Sequence, residues 1–127
     1  MIVLDTHVWI WRESDPARLS ARATAAIESA GEVGVSPISC WELATLAARG
    51  RIRMTLGIGE WVARALARAT LLPLSAEAAV EAGGLGAAGF HGDPADRLIY
   101  ATAVASGAKL ITRDEQIRSF DPRRCIW

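Results

Sequence analysis

Asp5, Glu42, Asp96 and Asp114 are the residues most able to do chemistry, and each falls where an apolar segment gives way to a turn or a helix start. Asp5 follows Ile2-Val3-Leu4, Glu42 closes Ser39-Cys40-Trp41-Glu42, Asp96 sits in Asp93-Pro94-Ala95-Asp96-Arg97, and Asp114 follows Leu110-Ile111-Thr112-Arg113. Ligands in an open α/β sheet gather beyond the carboxyl ends of the strands, so acids far apart in sequence can meet there. Converging carboxylates are a hard-oxygen ligand set of the kind Mg²⁺ takes, and such an ion can activate water for attack on phosphorus. Two histidines, His7 and His91, are too few for a zinc site without carboxylate help, and both are expected to be structural or peripheral.

Each acid also has a plainer reading. Asp5 can cap the helix beginning at Thr6. Ser39-x-x-Glu42 has the spacing of a capping box, in which the glutamate returns to the serine N–H. Asp93 is a natural N-cap ahead of Pro94, leaving Asp96 as the better metal ligand, and Asp114 can start a short helix. The set is therefore more specific than any member.

The elements that must position these residues follow from punctuation and period. Short apolar runs at 2–4, 33–36, 71–74, 109–112 and 124–127 read as strands, the third edged or interrupted by Pro73. Helices are expected over 6–12, from a Ser20 cap to Ala30, from a Ser39 cap to Arg49, over 57–69, from a Ser75 cap to Ala82, from Asp93-Pro94 to Ser106, and over 114–119. Gly83-Gly84 with Gly86 and Gly89 reads as a flexible connection. The alternation β-α-α-β-α-α-β-α-α-β-α-β specifies an α/β fold, a parallel sheet with helices on both faces. Residues 1–127 form one domain, because a chain of 127 residues has room for one core and shows no repeat or internal linker.

Composition narrows the class. With 51% hydrophobic and 22% charged residues the chain is globular, and no apolar run reaches the ~20 residues that span a bilayer. No membrane role is expected, and the opening residues lack the basic and apolar regions of a signal peptide, so the expected location is cytoplasmic. The net charge is zero, which removes any global basic signature for nucleic acid. Arg49, Arg51 and Arg53 form a local cluster that either contacts RNA phosphates or is simply solvated. Cys40 and Cys125 fit no metal or disulfide pattern and read as small buried hydrophobes. Among five tryptophans, Trp41 is expected inside, whereas Trp9, Trp11 and Trp61 are candidates to line a groove for a partner helix.

Taken in order, Asp5-Thr6-His7, Ser39-Cys40-Trp41-Glu42-Leu43, His91-Gly92-Asp93-Pro94-Ala95-Asp96-Arg97-Leu98-Ile99 and Leu110-Ile111-Thr112-Arg113-Asp114 resemble the PIN domain, and within it the VapC toxins of bacterial toxin–antitoxin pairs. The resemblance spans essentially the whole chain. One departure is Ala95, where the pattern usually carries a bulky residue such as Phe. The resemblance implies a single PIN domain with a Rossmann-like parallel sheet and a Mg²⁺- or Mn²⁺-dependent endoribonuclease that cleaves RNA. It also implies a homodimer and inhibition by a VapB-type antitoxin. Carried onto this chain, the catalytic and metal-binding acids are Asp5, Glu42, Asp96 and Asp114, with Asp93 as an outer contributor and Thr6 and Thr112 as supporting hydroxyls. Two other readings compete: a catalytically silent PIN-like module that binds RNA or a partner, and a receiver-type Mg²⁺-binding signalling domain. The receiver reading lacks an acid after the middle strand and has Asp114 where a lysine is needed.

Overall fold

A computed structural model describes residues 1–90 and 92–127; His91 lies outside the described residues, and its expected role with it. The strands are β1 (Ile2–Leu4), β2 (Val33–Val35), β3 (Thr70–Leu71), β4 (Lys109–Ile111) and β5 (Cys125–Ile126), all parallel in the order β3-β2-β1-β4-β5. The helices are α1 (Thr6–Ser14), α2 (Ala21–Ser29), α3 (Pro37–Ala48), α4 (Ile58–Leu66), α5 (Ala76–Gly84), α6 (Pro94–Ala105) and α7 (Glu115–Phe120). This is the alternation read from the sequence.

β1 is central and buried on both faces, which is why it reads as an unbroken apolar run rather than an alternating one. Ile2 and Leu4 enter a cluster with Val8, Trp9, Val35, Leu43, Ala65 and Ile111, under the first four helices. Val3 points the other way, to Leu110, Ile99, Tyr100, Phe90 and Ile117. Successive strand residues face opposite sides, so three residues supply both layers of core.

The register places the functional edge. Leu4 lies level with Val35 and Ile111, Val35 with Leu71, and Ile111 with Ile126. The residues that follow β1, β4 and β5, namely Asp5, Thr112 and Trp127, therefore emerge at one carboxyl edge. The chain winds outward through β2 and β3 and then returns beside β1 with β4, so the topological switch point lies between β1 and β4.

Several local expectations are corrected. Helix α3 is capped by Ser36, whose Oγ accepts from Ile38 N at 3.2 Å, with Pro37 at the first helical position. Ser39 is inside the helix, so the capping box at Ser39 and Glu42 does not exist; Pro37 pre-sets the helical φ and starts the helix earlier. β3 spans Thr70–Leu71 rather than 71–74, because Pro73 has no N–H for a ladder. Gly83 and Gly84 are not a loop but the last turn of α5, which continues as far as the buried Leu85. Trp41 is 60% exposed rather than internal, since it lies on the outer side of α3 while Leu43 faces the core. Trp9 is fully buried and stands edge-on to Trp61 at 5.0 Å, so these two pack the core instead of opening a groove. Cys40 and Cys125 are both free and half-buried.

Beneath the start of α6, Phe90 packs against Tyr100 and Phe120, with ring centroids 5.4 and 5.1 Å away. Ala95 is itself buried. Gly92 is required here: a Cβ would collide with the Phe90 ring and approach Asp96 Cβ to 3.0 Å. Arg97 Nε donates to Gly92 O at 2.9 Å and holds the approach to α6 in place.

A candidate metal centre at the carboxyl edge

Asp5 leaves β1 buried, and both of its oxygens accept hydrogen bonds: Oδ1 from Thr6 N at 2.8 Å, Oδ2 from Thr112 Oγ at 2.7 Å. Thr112 in turn accepts from Asp114 N at 3.0 Å, and Asp114 Oδ1 caps α7 by accepting from Ile117 N at 2.9 Å. The capping readings of Asp5 and Asp114 are thus correct as far as they go. Each carboxylate still has lone pairs directed away from its cap.

Across the switch point, α3 brings Glu42 and α6 brings Asp93 and Asp96. Asp93 Oδ1 caps α6 by accepting from Asp96 N at 2.9 Å. Among the described residues, one carboxylate oxygen from each of Glu42, Asp93 and Asp96 lies within 4.8 Å of the others, close enough to share an ion. Asp93 therefore stands beside Glu42 and Asp96, not outside them. Thr6 Oγ donates to Ser39 Oγ at 3.1 Å, tying the start of α1 to α3 behind the acids.

Asp5, Glu42, Asp93, Asp96 and Asp114 all line one cavity of about 640 Å³. Burial and mutual repulsion are legible in their proton affinities. Burial raises Asp5 above the ordinary carboxylate range, opposed by the Thr112 and Thr6 hydrogen bonds. Burial also raises Glu42, opposed by Thr6. Asp96 is pushed up to about 7, first by burial and then by the charges of Asp5, Asp93, Glu42 and Asp114. Anionic oxygens packed against like charge are a donor set for a hard divalent cation, so the residues fit Mg²⁺ or Mn²⁺.

Trp11, considered only as the wall of a groove for a partner helix, lines this cavity, and the sequence reading missed the rest of the wall: His7, Arg113, Glu115, Arg118 and Trp127. His7 is exposed on the rim, the peripheral of the two placements expected for it, with its ring 5.8 Å from Trp11. Trp127 became visible only through strand register, whereas Arg118, four residues past Asp114 on a helix, could have been found from spacing. Arg49, Arg51 and Arg53 are exposed and do not line this cavity.

The arrangement matches known proteins. A PIN-domain family model covers residues 2–121. The chain belongs to the PIN-domain family. Over 118 residues, 93% of this chain and 90% of the relative, it is 41% identical to Ribonuclease VapC22 of Mycobacterium tuberculosis, which places its likeness among VapC proteins. The fold is also that of a toxin–antitoxin complex chain from Klebsiella pneumoniae, with a TM-score of 0.72 at 20% identity over 100% of this chain and 97% of that one. A chain of VapBC2 from Rickettsia felis, solved bound to a DNA fragment from its promoter, gives a TM-score of 0.70 at 17% identity over 98% and 97%. Among the described residues no helix is long and apolar enough to cross a membrane.

Proposed function

We propose that this chain is a divalent-metal-dependent endoribonuclease, the toxin of a VapBC-type pair, cleaving RNA phosphodiesters at the acidic cavity. The observation that carries the reading is the meeting of Asp5, Glu42, Asp96 and Asp114, from four separate segments, in one cavity. The 41% identity to a protein named a ribonuclease supports it.

Glu42, Asp93 and Asp96 offer the closest set of ligand oxygens, with Asp5 and Asp114 completing the negative wall. A divalent cation held there supplies charge against the scissile phosphate and acidifies a water beside it. Asp5 is fixed in orientation by Thr6 and Thr112, so its free lone pairs face the cavity without needing to reorganise. Asp96, whose pKa is pushed up to about 7 by burial and neighbouring charge, would release its proton on taking up a cation. Glu42, on a helix and clear of any capping duty, is free to take the proton of the attacking water.

A VapB-type antitoxin is the partner this reading expects, with a second copy of the chain as homodimer and the cytoplasm as the setting. Arg49, Arg51 and Arg53 remain candidates for RNA phosphates beyond the cavity. Incubating the purified protein with total RNA plus Mg²⁺, Mn²⁺ or EDTA, and mapping the ends, tests the activity. Metal-dependent, EDTA-sensitive cleavage supports it; binding without cleavage under every metal condition means a silent PIN-like module.

A further inference from the structure

A cleft walled by six carboxylates repels the polyanion it is proposed to cut, so something beside it must hold the strand. Arg118 lines the acidic cavity and also a second one of about 530 Å³, which shares Glu115 and Trp127 with the first and ends at Arg22 on α2. The two cavities thus adjoin as one groove through Arg118, Glu115 and Trp127, with the acids lining one part and Arg22 the other. Among the described residues neither arginine forms an ion pair, although Glu115 lies within the groove. Arg118 Nε is buried and has no hydrogen-bond partner. The guanidinium is planar and presents a fork of N–H donors that a phosphate fits bidentately. Trp127 lies six residues beyond the family match, carried into the groove by the β4–β5 pairing.

We propose, on the ribonuclease reading above, that this second cavity is the subsite for RNA phosphates flanking the scissile one, bound by Arg118 and then by Arg22, with Trp127 as the aromatic wall between them. An alternation of cations with an aromatic face is how single strands are gripped without base readout. The groove therefore holds single-stranded RNA through its backbone phosphates.

The test is equilibrium binding of a fluorescein-labelled, ten-nucleotide single-stranded RNA in EDTA, followed by anisotropy across a salt series. Because cleavage is not needed, the outcome stands apart from whether the protein proves to be a ribonuclease. Arg118→Gln should weaken binding about tenfold, as expected for loss of one charge-assisted contact. Arg118→Gln and Arg22→Gln should each reduce the log–log salt slope by about 0.7, and together by about 1.4. Arg118→Lys should keep the slope, and Arg64→Gln, on an exposed arginine paired with Glu60, should change nothing. Arg22 is exposed, so its variant reports even if loss of Arg118 disturbs folding. Unchanged slopes in both glutamine variants overturn the proposal. So does an oligoglutamate probe that binds as tightly as RNA and loses as much in the same variants, because the groove would then be selecting a peptide partner or charge alone.

Discussion

Thr112 joins two of the acids through one hydroxyl: it donates to Asp5 Oδ2 and accepts from Asp114 N. Thr112→Val keeps the shape but leaves a buried carboxylate oxygen and a backbone N–H without partners, which should cost about 1–3 kcal/mol in a urea titration. Cleavage should fall as well, while Thr112→Ser stays near wild type. A valine variant of unchanged stability would show that water replaces the hydroxyl. Asp96 gives a second prediction, through pH. Its folded pKa of about 7 lies above the reference 3.8, so the stabilisation is complete below pH 3.8 and is lost as pH rises through 7. Burial raises Asp5 and Glu42 as well, which acts in the same sense. Asp121 acts oppositely: although burial raises it, the Tyr100 hydroxyl and Arg124 hold it low, and its window lies at more acid pH. The thermal midpoint in EDTA should therefore decline from about pH 4 to 7, while Mg²⁺ affinity climbs over the same interval as the proton leaves. Asp96→Asn should flatten the decline, and an unchanged slope in that variant would remove Asp96 as its source.

Helix α3 sets the clearest limit on what could be read before the fold was known. Ser36, Ser39 and Glu42 all have side chains suited to helix starts, and one-dimensional spacing favours the Ser39 pair. The winner is decided by Pro37 and by the β2 register that ends at Val35, a tertiary fact. By contrast, the starts of α1, α2, α5, α6 and α7 were legible, because each has one good cap at Asp5, Ser20, Ser75, Asp93 or Asp114 with no competitor nearby. A mutational contrast follows from α3. Ser36→Ala should lose about 1 kcal/mol through the missing cap. Glu42→Gln, relieved of repulsion and without a cap to lose, should melt at or above the wild-type temperature yet fail to cleave RNA. A lower midpoint with normal cleavage would return Glu42 to a structural role.

At the scale of the whole molecule, the sheet order determines which acids meet. The strand alternation and the four acids were readable from apolar runs and turn residues alone, but the order β3-β2-β1-β4-β5 was not, because nothing local tells β4 to pair with β1. That pairing brings Thr112 to Asp5, and the β4–β5 pairing brings Trp127 to the same edge, so the basic and aromatic wall was hidden while the acidic wall was not. Asp93 was underestimated for a related reason: its capping role is local and visible, whereas its approach to Glu42 depends on α3 and α6 packing together. The same convergence makes the metal-free fold strained by like charge, since segments from both sides of the switch point are held together against the repulsion of their carboxylates. A divalent cation should then bind the folded chain far better than the unfolded one, stabilising it by about 2.7 kcal/mol at a hundred times its dissociation constant. Calorimetric melting of the wild type should show a midpoint that climbs with Mg²⁺ and falls back with EDTA. Asp5→Asn should gain much less from Mg²⁺ than the wild type does. If the two proteins gain equally from the ion, it binds elsewhere on the surface, and Asp5 is a helix cap that happens to border the cavity.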